Sequence, residues 1–344
     1  MLAIACGAGP QETALVHISP EAGWLPARIG RKQGYVQLLL GRLEGRCPTA
    51  PSLEMDLLES TEQAAVELGE ALRGRTAASA QPAGFIFHMS RTGSTVTGSM
   101  LRAADVAFVS EPLAVNDLFF RLDGDELLDE QLKFIIDWFV TALGGSRRVV
   151  FKFSSWVSLH LDRFERLYPS VPRVFMYREP VEVVSAVVNE APFMFRRELV
   201  RSLFRSKERN DPAFEQRMLH ALRGQVDYGR DCTYVEFVAR FIGSICEPPA
   251  AAYATGRPIL PINYATFKRQ VIEEMAPAFG IQIDDSRRRQ MLDAAQYDGK
   301  TRERIVFTQD ATLKRQAATP LMTELSAQYI QPSIDIFMDA VARR

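Results

Sequence analysis

Residues 85–101, FIFHMSRTGSTVTGSML, constrain the fold of this chain more than any other segment. A short apolar run comes first, a loop rich in Ser, Thr and Gly follows, and apolar residues then recur at the spacing of a helix. An anion site on an α/β sheet needs a strand that stops, a tight turn that exposes backbone N–H groups, and a helix whose positive end faces the ligand. The segment therefore predicts a loop that binds the phosphates of a nucleotide.

Short apolar runs alternate with longer periodic segments from Gly84 onward. Charges do not interrupt most of these runs, as expected of strands that are buried on both faces of a sheet. We therefore predict an α/β fold in which a P-loop-like parallel sheet is flanked by helices. The predicted strands are 85–89, 106–109, 149–153, 174–177 and 259–262, and the predicted helices are 93–102, 127–143, 156–167 and 180–189, with a further helix in 319–344.

The chain divides near Gly84. The stretch GRTAASAQPAG, which ends there, is small and contains proline, so it has the composition of a linker. Upstream, residues 55–72 repeat apolar residues at helical spacing and predict a helix. We therefore expect a small N-terminal accessory region over 1–83 and the main domain over 84–344.

The composition limits the classes of partner. The 41 basic residues nearly balance the 42 acidic ones, so the chain lacks the general attraction to phosphate polymers of a nucleic-acid-binding protein. No run approaches the roughly 18 apolar residues that span a bilayer, and the start of the chain lacks the regions of a signal peptide. The four cysteines are scattered without the spacing of a metal site. We expect a cytoplasmic protein with no nucleic-acid partner, no membrane span and no metal.

The loop differs from the Walker pattern GxxxxGK[ST] at a decisive position. His88 takes the place of the first Gly and Gly93 that of the second, but Ser94 stands where the pattern has Lys. The missing Lys argues against an ATPase or a kinase, because that Lys neutralises the β and γ phosphates. An ordinary strand, polar turn and helix is the alternative. The loop residues that we predict to hold the anion are Ser90, Arg91, Thr92, Gly93, Ser94 and Thr95.

Three segments, in order along the chain, resemble the sulfotransferases that use 3′-phosphoadenosine 5′-phosphosulfate. The loop S-R-T-G-S-T resembles their 5′-phosphosulfate loop, with Arg91 at the family's basic position. Glu111 follows the run VAFVS and is similar to the glutamate base of the protein-tyrosine and some carbohydrate-directed members. The segment RVFMYREPVEVVSAV resembles the 3′-phosphate segment, in which Arg178 matches the family's Arg.

The resemblance implies further donor-binding residues. The family places a Ser eight residues after the Arg, where this chain has Ala186, and Ser185 comes one residue early. One residue turns a helix by roughly 100°, so Ser185 is a weaker match than Arg178. Lys300 and Arg302 lie around a Gly turn in a segment that loosely resembles the late basic loop of the family, and a solvated run of charges is the alternative.

Four residues are candidates for catalysis. A fixed cation near the departing phosphate oxygen lowers the barrier of sulfuryl transfer. Arg91 is one candidate, and its alternative role is a structural ion pair. Lys152 is the other, and its alternative is a lysine that snorkels to solvent. Glu111 would take the proton of the acceptor, often with a pKa raised by partial burial, and a charge at a helix N-terminus is the alternative. His88 would contact donor or acceptor, or act as a base, unless it is a hydrogen-bonded structural histidine.

The function implied is transfer of a sulfuryl group from 3′-phosphoadenosine 5′-phosphosulfate to an acceptor hydroxyl, without a metal. The acceptor is a small molecule, a glycan or a peptide, and a helical insertion over 192–250, rich in Arg and Phe, is expected on its side of the site. The alternatives are a P-loop kinase of a small molecule and a non-catalytic nucleotide-binding protein. Nothing in the sequence indicates the oligomeric state.

Overall fold

The computed structural model describes residues 2–4, 16–32, 35–42, 62–74, 81–121, 125–190, 233–299 and 305–342. Predicted features that lie wholly or partly outside these residues include the pair Lys300 and Arg302, residues 192–232 of the predicted helical insertion, and residues 55–61 of the helix predicted over 55–72.

The described residues form strands and helices that alternate along the main part of the chain. The strands are β1 (Leu2–Ile4), β2 (Val16–Ile18), β3 (Trp24–Lys32), β4 (Tyr35–Arg42), β5 (Gln63–Glu67), β6 (Gly84–His88), β7 (Ala107–Ser110), β8 (Val149–Lys152), β9 (Arg173–Tyr177) and β10 (Leu260–Asn263). The α-helices are α1 (Leu68–Arg73), α2 (Ser94–Ala103), α3 (Leu113–Arg121), α4 (Asp125–Leu143), α5 (Leu161–Leu167), α6 (Pro180–Glu190), α7 (Tyr234–Ala254), α8 (Phe267–Gln270), α9 (Ala276–Ala278), α10 (Asp285–Ala294), α11 (Ala311–Gln316), α12 (Pro320–Tyr329) and α13 (Gln331–Ala342).

Five of these strands form the central sheet, in the order β10-β9-β6-β8-β7, and every neighbouring pair is parallel. Both faces of the sheet are covered, because Phe85 and Phe87 of β6 pack into one apolar cluster and Ile86 packs into another. The predicted α/β fold, a parallel sheet flanked by helices, is confirmed. The region predicted as one helix over 156–167 is a 3₁₀ helix, Ser155–His160, that continues into α5.

Aromatic side chains fill the layer on the Phe85 side of the sheet. The rings of Phe153 and Phe164 lie 4.6 Å apart and those of Phe85 and Phe151 lie 6.0 Å apart, measured between centroids. Pairs at such distances contribute about 0.5–1.5 kcal/mol each beyond the area they bury. This packing fixes the strands whose ends carry the candidate site.

The N-terminal region contains a three-stranded antiparallel sheet, β3-β4-β5. The prediction of a helix over 55–72 is wrong for Gln63–Glu67, which pairs with β4 as a strand, and right for the short helix that follows. The apolar spacing of these five residues fits a strand as well as a helix, and pairing with β4 decides between them. The apolar side chains of this sheet share one core with the main sheet, and the division near residue 83 stays a prediction.

The carboxyl ends of the parallel strands meet at one edge of the central sheet. His88 ends β6, Lys152 ends β8, and Glu111 and Arg178 each follow directly after a strand. In the sheet, β8 and β7 lie on one side of β6, and β9 and β10 lie on the other side. The chain forms β7 and β8 first and then crosses to β9, so the direction of winding reverses beside β6. Such a reversal opens a crevice at the carboxyl edge, where ligands of α/β sheets bind.

Candidate functional site

A cavity of about 490 Å³ opens at this edge of the sheet. It is the size of a small-molecule site. Most of the predicted site residues that the structure describes line it. These are His88, Ser90, Arg91, Thr92, Gly93, Ser94, Thr95, Glu111, Lys152 and Arg178.

The loop after β6 has an unusual backbone. Ser90 (φ 78°), Arg91 (φ 54°) and Gly93 (φ 74°) all adopt the left-handed conformation. For residues other than Gly this conformation costs about 1–2 kcal/mol, and alternation between left- and right-handed residues turns successive N–H groups towards one point. A Cβ on Gly93 would also lie 3.1 Å from the ring of Phe267. The loop therefore has the strained, concave backbone of an anion-binding turn.

Helix α2 begins at Ser94 and points its N-terminus at the cavity. No side chain caps its first N–H groups, since the N-cap residue is Gly93. The fully buried Thr92 hydroxyl, which also lines the cavity, has no hydrogen-bond partner among the described residues. Uncapped N–H groups, a buried hydroxyl without a partner and the positive end of the helix dipole together favour an anion at this place.

Glu111 and Lys152 form an ion pair that lines the same cavity as the loop. The Glu111 backbone is left-handed (φ 47°), and its N–H donates to the Lys152 carbonyl at 2.7 Å. Burial is the largest influence on the pKa of the Glu111 carboxyl and raises it, but the charge and hydrogen bond of Lys152, together with His88, outweigh burial and hold this pKa below its ordinary value. The expectation of a raised pKa is therefore wrong in direction. Glu111 is an ionised carboxylate at neutral pH.

His88 is buried beside this pair. The Ser90 N–H donates to His88 Nδ1 at 3.0 Å, so the neutral ring carries its proton on Nε2. Burial, together with the Lys152 charge, lowers the pKa of His88 to about 3, although Glu111 and the Phe153 carbonyl act in the opposite direction. Nε2 lies 3.9 Å from Glu111 Oε1, beyond hydrogen-bond length. At neutral pH His88 is thus a neutral N–H donor at the cavity, and the expectation that it acts as a base does not fit this tautomer.

Arg178 is enclosed by partners on every side. Its Nε donates to Glu182 at 2.6 Å, its NH1 to the Arg91 carbonyl at 3.2 Å and its NH2 to Asp310 at 2.8 Å. The guanidinium carbon also lies 4.0 Å from the ring centroid of Tyr264. These bonds use three of the five guanidinium N–H groups, and the side chain is buried, so a phosphate that binds Arg178 competes with these partners. Asp310 lies on the cavity side of Arg178 and Glu182 does not, so Asp310 is the partner that a ligand would displace.

A second group of ion pairs adjoins Arg178. Arg91 and Lys314 both pair with the Glu190 carboxylate, and Lys314 also lies 3.6 Å from Asp310. Burial, and then the charges of Arg91 and Arg178, lower the pKa of Lys314. The predicted donor-binding arginines are therefore tied to α6 and α11 by internal carboxylates.

Three other predicted residues are not among the described residues that line the cavity. Ser185 is fully buried in α6, accepts a hydrogen bond from Asn189 at 3.2 Å and does not line the cavity. The one-residue offset from the family spacing turns its side chain away, as the rotation of a helix requires. Lys300 and Arg302 lie outside the described residues, so their placement stays a prediction.

Sequence reasoning did not single out three residues that shape the site. Asp310 and Lys314 are the first two. Asp310 is the N-cap residue of α11 and Lys314 lies in that helix, and a spacing of four residues between opposite charges is a signal that charge patterning can reveal. Ser154 is the third. It lines the cavity and accepts a hydrogen bond from Asn116 at 2.9 Å. No sequence pattern marks that contact, because its two residues lie far apart in the chain.

The solved structures to which this chain is similar include two sulfotransferases. One is titled a sulfotransferase domain from the curacin biosynthetic pathway, with a TM-score of 0.41, 11% identity, and coverage of 72% of this chain and 97% of that chain. The other is a sulfotransferase from Alicyclobacillus acidocaldarius, with a TM-score of 0.36, 16% identity, and coverage of 77% and 97%. No model of a known protein family matches the chain, and no curated protein matches it.

Two searches of the described residues concern metals and membranes. Among these residues, no group of three or more His, Cys, Asp or Glu side chains is arranged to hold a metal ion. No helix in the same part of the chain combines the length and the apolar character that crossing a membrane requires.

Proposed function

We propose that the chain is a sulfotransferase that moves a sulfuryl group from 3′-phosphoadenosine 5′-phosphosulfate to an acceptor hydroxyl. One observation carries the proposal: the strained anion loop without a Walker Lys faces the same cavity as the Glu111–Lys152 pair. The loop supplies a place for the phosphosulfate, and the pair supplies a carboxylate base with a cation beside it. The resemblance of the three sequence segments to the family supports the same assignment.

In this proposal the loop and α2 hold the 5′ end of the donor. Backbone N–H groups of the left-handed loop, the Thr92 hydroxyl and the N-terminus of α2 donate to its phosphosulfate oxygens. As the bond between sulfur and the phosphate oxygen breaks, negative charge grows on that oxygen. The helix N-terminus and the Arg91 guanidinium stabilise it, and adenosine 3′,5′-bisphosphate leaves.

Glu111 acts on the acceptor. The acceptor oxygen forms the new bond to sulfur, and its proton passes to the Glu111 carboxylate, which is ionised at neutral pH because its pKa is lowered. Lys152, on the same carboxylate, keeps it charged and directs it into the cavity. The products are a sulfate ester, adenosine 3′,5′-bisphosphate and a proton that Glu111 later releases to solvent.

His88 favours a hydroxyl over an amine as the attacking group. Both residues line the cavity, and the buried His88 Nε2, which has no hydrogen-bond partner among the described residues, lies 3.9 Å from Glu111 Oε1. A hydroxyl oxygen has two lone pairs, so it can attack sulfur with one, accept from Nε2–H with the other, and donate its proton to Glu111. A neutral amine has one lone pair and cannot both attack and accept. This pairing supports O-sulfation.

The charge of the cavity bears on how the donor fits. Arg91, Lys152 and Arg178 contribute three cations, and Glu111, Asp298 and Asp310 contribute three carboxylates, among the described lining residues. A donor with several negative charges gains little from a balanced set. Its binding therefore requires an internal pair to open, and the Arg178–Asp310 contact at the cavity wall is the one we assign.

Turnover of the donor tests the proposal. The protein is incubated with 3′-phosphoadenosine 5′-phosphosulfate and a panel of phenols, sugars and tyrosine peptides, and release of adenosine 3′,5′-bisphosphate is followed by chromatography. We expect release that depends on one class of hydroxyl. Glu111→Gln should lower it by about 10²–10⁴-fold, whereas Asp129→Asn, which removes a carboxylate that pairs with Arg163 and Arg166 outside the cavity, should not.

The alternatives have their own outcomes. Phosphoryl transfer from ATP with magnesium, without use of the sulfated donor, would indicate a kinase. Tight binding of the donor without release on any acceptor would indicate a nucleotide-binding protein without turnover. If Glu111→Gln released the product at the rate of the unmodified protein, Glu111 would not be the base.

A further inference from the structure

The backbone of Glu111 needs support from its surroundings. Its φ of 47° is left-handed, which costs a residue other than Gly about 1–2 kcal/mol. Its N–H donates to the Lys152 carbonyl at 2.7 Å. In the chain, Glu111 is followed by Pro112 and then by α3, which begins at Leu113. A strained residue persists only where neighbouring structure fixes the chain on both of its sides. On the C-terminal side of Glu111 that structure is α3.

Helix α3 is anchored on its two sides by adjacent polar residues. On the cavity side, Asn116 Nδ2 donates to Ser154 Oγ at 2.9 Å, and Ser154 is itself part of the cavity wall. On the other side, the buried Asp117 carboxylate accepts three hydrogen bonds from β3. They come from Arg28 Nε at 2.7 Å, Arg28 NH2 at 3.1 Å and the Ile29 N–H at 2.9 Å.

Strand β3 is itself held firmly to the main domain. The Trp138 indole N–H on α4 donates to the Trp24 carbonyl at 2.6 Å, and both side chains are at least 94% buried. Ile29 of β3 belongs to the same apolar core as Leu118 of α3. The N-terminal sheet is therefore a rigid support for α3.

We propose that the N-terminal sheet positions Glu111 through Asp117, so that Asp117 is a positioning residue of the candidate site. The inference deepens the proposed function, since it concerns the residue assigned there as the base. The hydrogen bonds of Asp117 with Arg28 and the Ile29 N–H hold α3 in the position that keeps the Glu111 carboxylate in contact with Lys152. The N-terminal sheet, to which the family resemblance does not extend, then contributes to the geometry of the candidate site.

The test follows the Glu111 carboxyl directly. The full-length protein is labelled with glutamate carrying ¹³C at the side-chain carboxyl, Glu111→Gln identifies the signal, and its titration is recorded by NMR. Asp117→Asn keeps the volume but removes the charge that holds Arg28. We expect the titration of Glu111 to move upward towards the ordinary range, because contact with the Lys152 ammonium loosens.

Asp129→Asn is the matched control. Asp129 also accepts from two arginines, Arg163 at 2.5 Å and Arg166 at 2.6 Å, but it lies on α4 away from the cavity. This variant should lose stability as Asp117→Asn does and should leave the Glu111 titration unchanged. If Asp117→Asn also left it unchanged, Asp117 would only stabilise the fold and the inference would be overturned.

Two variants at the more exposed Arg28 keep the inference testable if Asp117→Asn does not fold. Arg28 is 44% exposed, so Arg28→Met removes the paired charge without exposing a cavity in the core. It should move the Glu111 titration in the same upward direction, and Arg28→Lys should restore most of it. An unchanged titration in Arg28→Met would contradict the proposal. Failure of the protein to bind adenosine 3′,5′-bisphosphate would instead contradict the proposed function, which the titration does not measure.

Discussion

Charged residues of the cavity form ion pairs, and each pair influences the protonation or the ligand binding of its members. Lys152 keeps Glu111 ionised, so the pair provides a base that is present at neutral pH. Asp310 pairs with Arg178 and also lines the cavity, so an anionic ligand there competes with Asp310 for the guanidinium. At the scale of single residues, ligand binding is therefore an exchange of one anionic partner for another.

Asp310→Asn should strengthen the binding of adenosine 3′,5′-bisphosphate. The change removes a negative charge from the cavity and weakens the contact that an anion has to replace on Arg178. We expect a gain of about tenfold, or about 1.4 kcal/mol, in calorimetry. Glu182→Gln is the control, because Glu182 also pairs with Arg178 but does not line the cavity. Weaker binding by Asp310→Asn would show that Asp310 supports the ligand instead of competing with it.

Sequence reasoning predicted which residues lie at the cavity better than it predicted their protonation states. Strand ends and turn chemistry place His88, Glu111 and Lys152 at one edge of the sheet. Their protonation depends on burial and on neighbours distant in sequence, so neither the lowered pKa of Glu111 nor the N–H donor of His88 could be read from the chain. The partner of Arg178 was missed for the same reason, since Asp310 lies 132 residues away.

At the scale of elements, the loop and α2 act together because α2 packs closely against the sheet. A Cβ on Gly98 of α2 would lie 2.5 Å from the ring of Phe108 on β7, and that ring is buried. The helix can therefore approach the strand only with Gly at this position. The close approach sets where the N-terminus of α2 meets the cavity.

Gly98→Ala should destabilise the protein despite the better helix propensity of Ala. The propensity gain is about 1 kcal/mol, whereas forcing a methyl group into a packed interface costs about 1–3 kcal/mol. We expect a lower midpoint of urea unfolding and weaker binding of adenosine 3′,5′-bisphosphate. Gly30→Ala is the control, since nothing lies within 4 Å of its added Cβ. A rise in stability with Gly98→Ala would show that α2 is free to shift.

The central strands were predicted to within one residue at every end, because an uninterrupted apolar run bounded by Gly, Pro and polar turns is compatible with few structures other than a buried strand. Gln63–Glu67 shows where such reasoning fails. Its five residues carry apolar side chains at a spacing that suits a helix, but pairing with β4, which is distant in sequence, makes them a strand. Local pattern cannot decide between the two when a partner strand is available.

At the scale of the whole molecule, the N-terminal sheet and the central sheet share one core, and the candidate site lies at the edge of that core. Two residues of the site have lowered pKa values: His88 is buried, and the Glu111 side chain is 41% exposed. His88 has its pKa lowered from 6.5 to about 3, and Glu111 has its pKa lowered from 4.5. Both shifts link protonation to folding.

Acidification should lower the free energy of unfolding in two windows. Below pH 6.5 the unfolded chain protonates His88 while the folded protein does not, so stability falls until the pH nears 3. This slope is at most about 1.4 kcal/mol per pH unit. Glu111 adds its own loss only below about pH 4.5, where the unfolded carboxyl binds a proton first. Urea unfolding between pH 7 and 5 should show a smaller slope in His88→Gln, and an unchanged slope would contradict a neutral His88.

The central claim is that this cavity binds the nucleotide of a sulfuryl donor. Calorimetry with adenosine 3′,5′-bisphosphate in EDTA tests it most directly, since it needs neither an acceptor nor a metal. We predict micromolar or tighter binding, with ADP clearly weaker because it lacks the 3′-phosphate. No binding of the bisphosphate, or binding of ATP only when magnesium replaces EDTA, would contradict the claim.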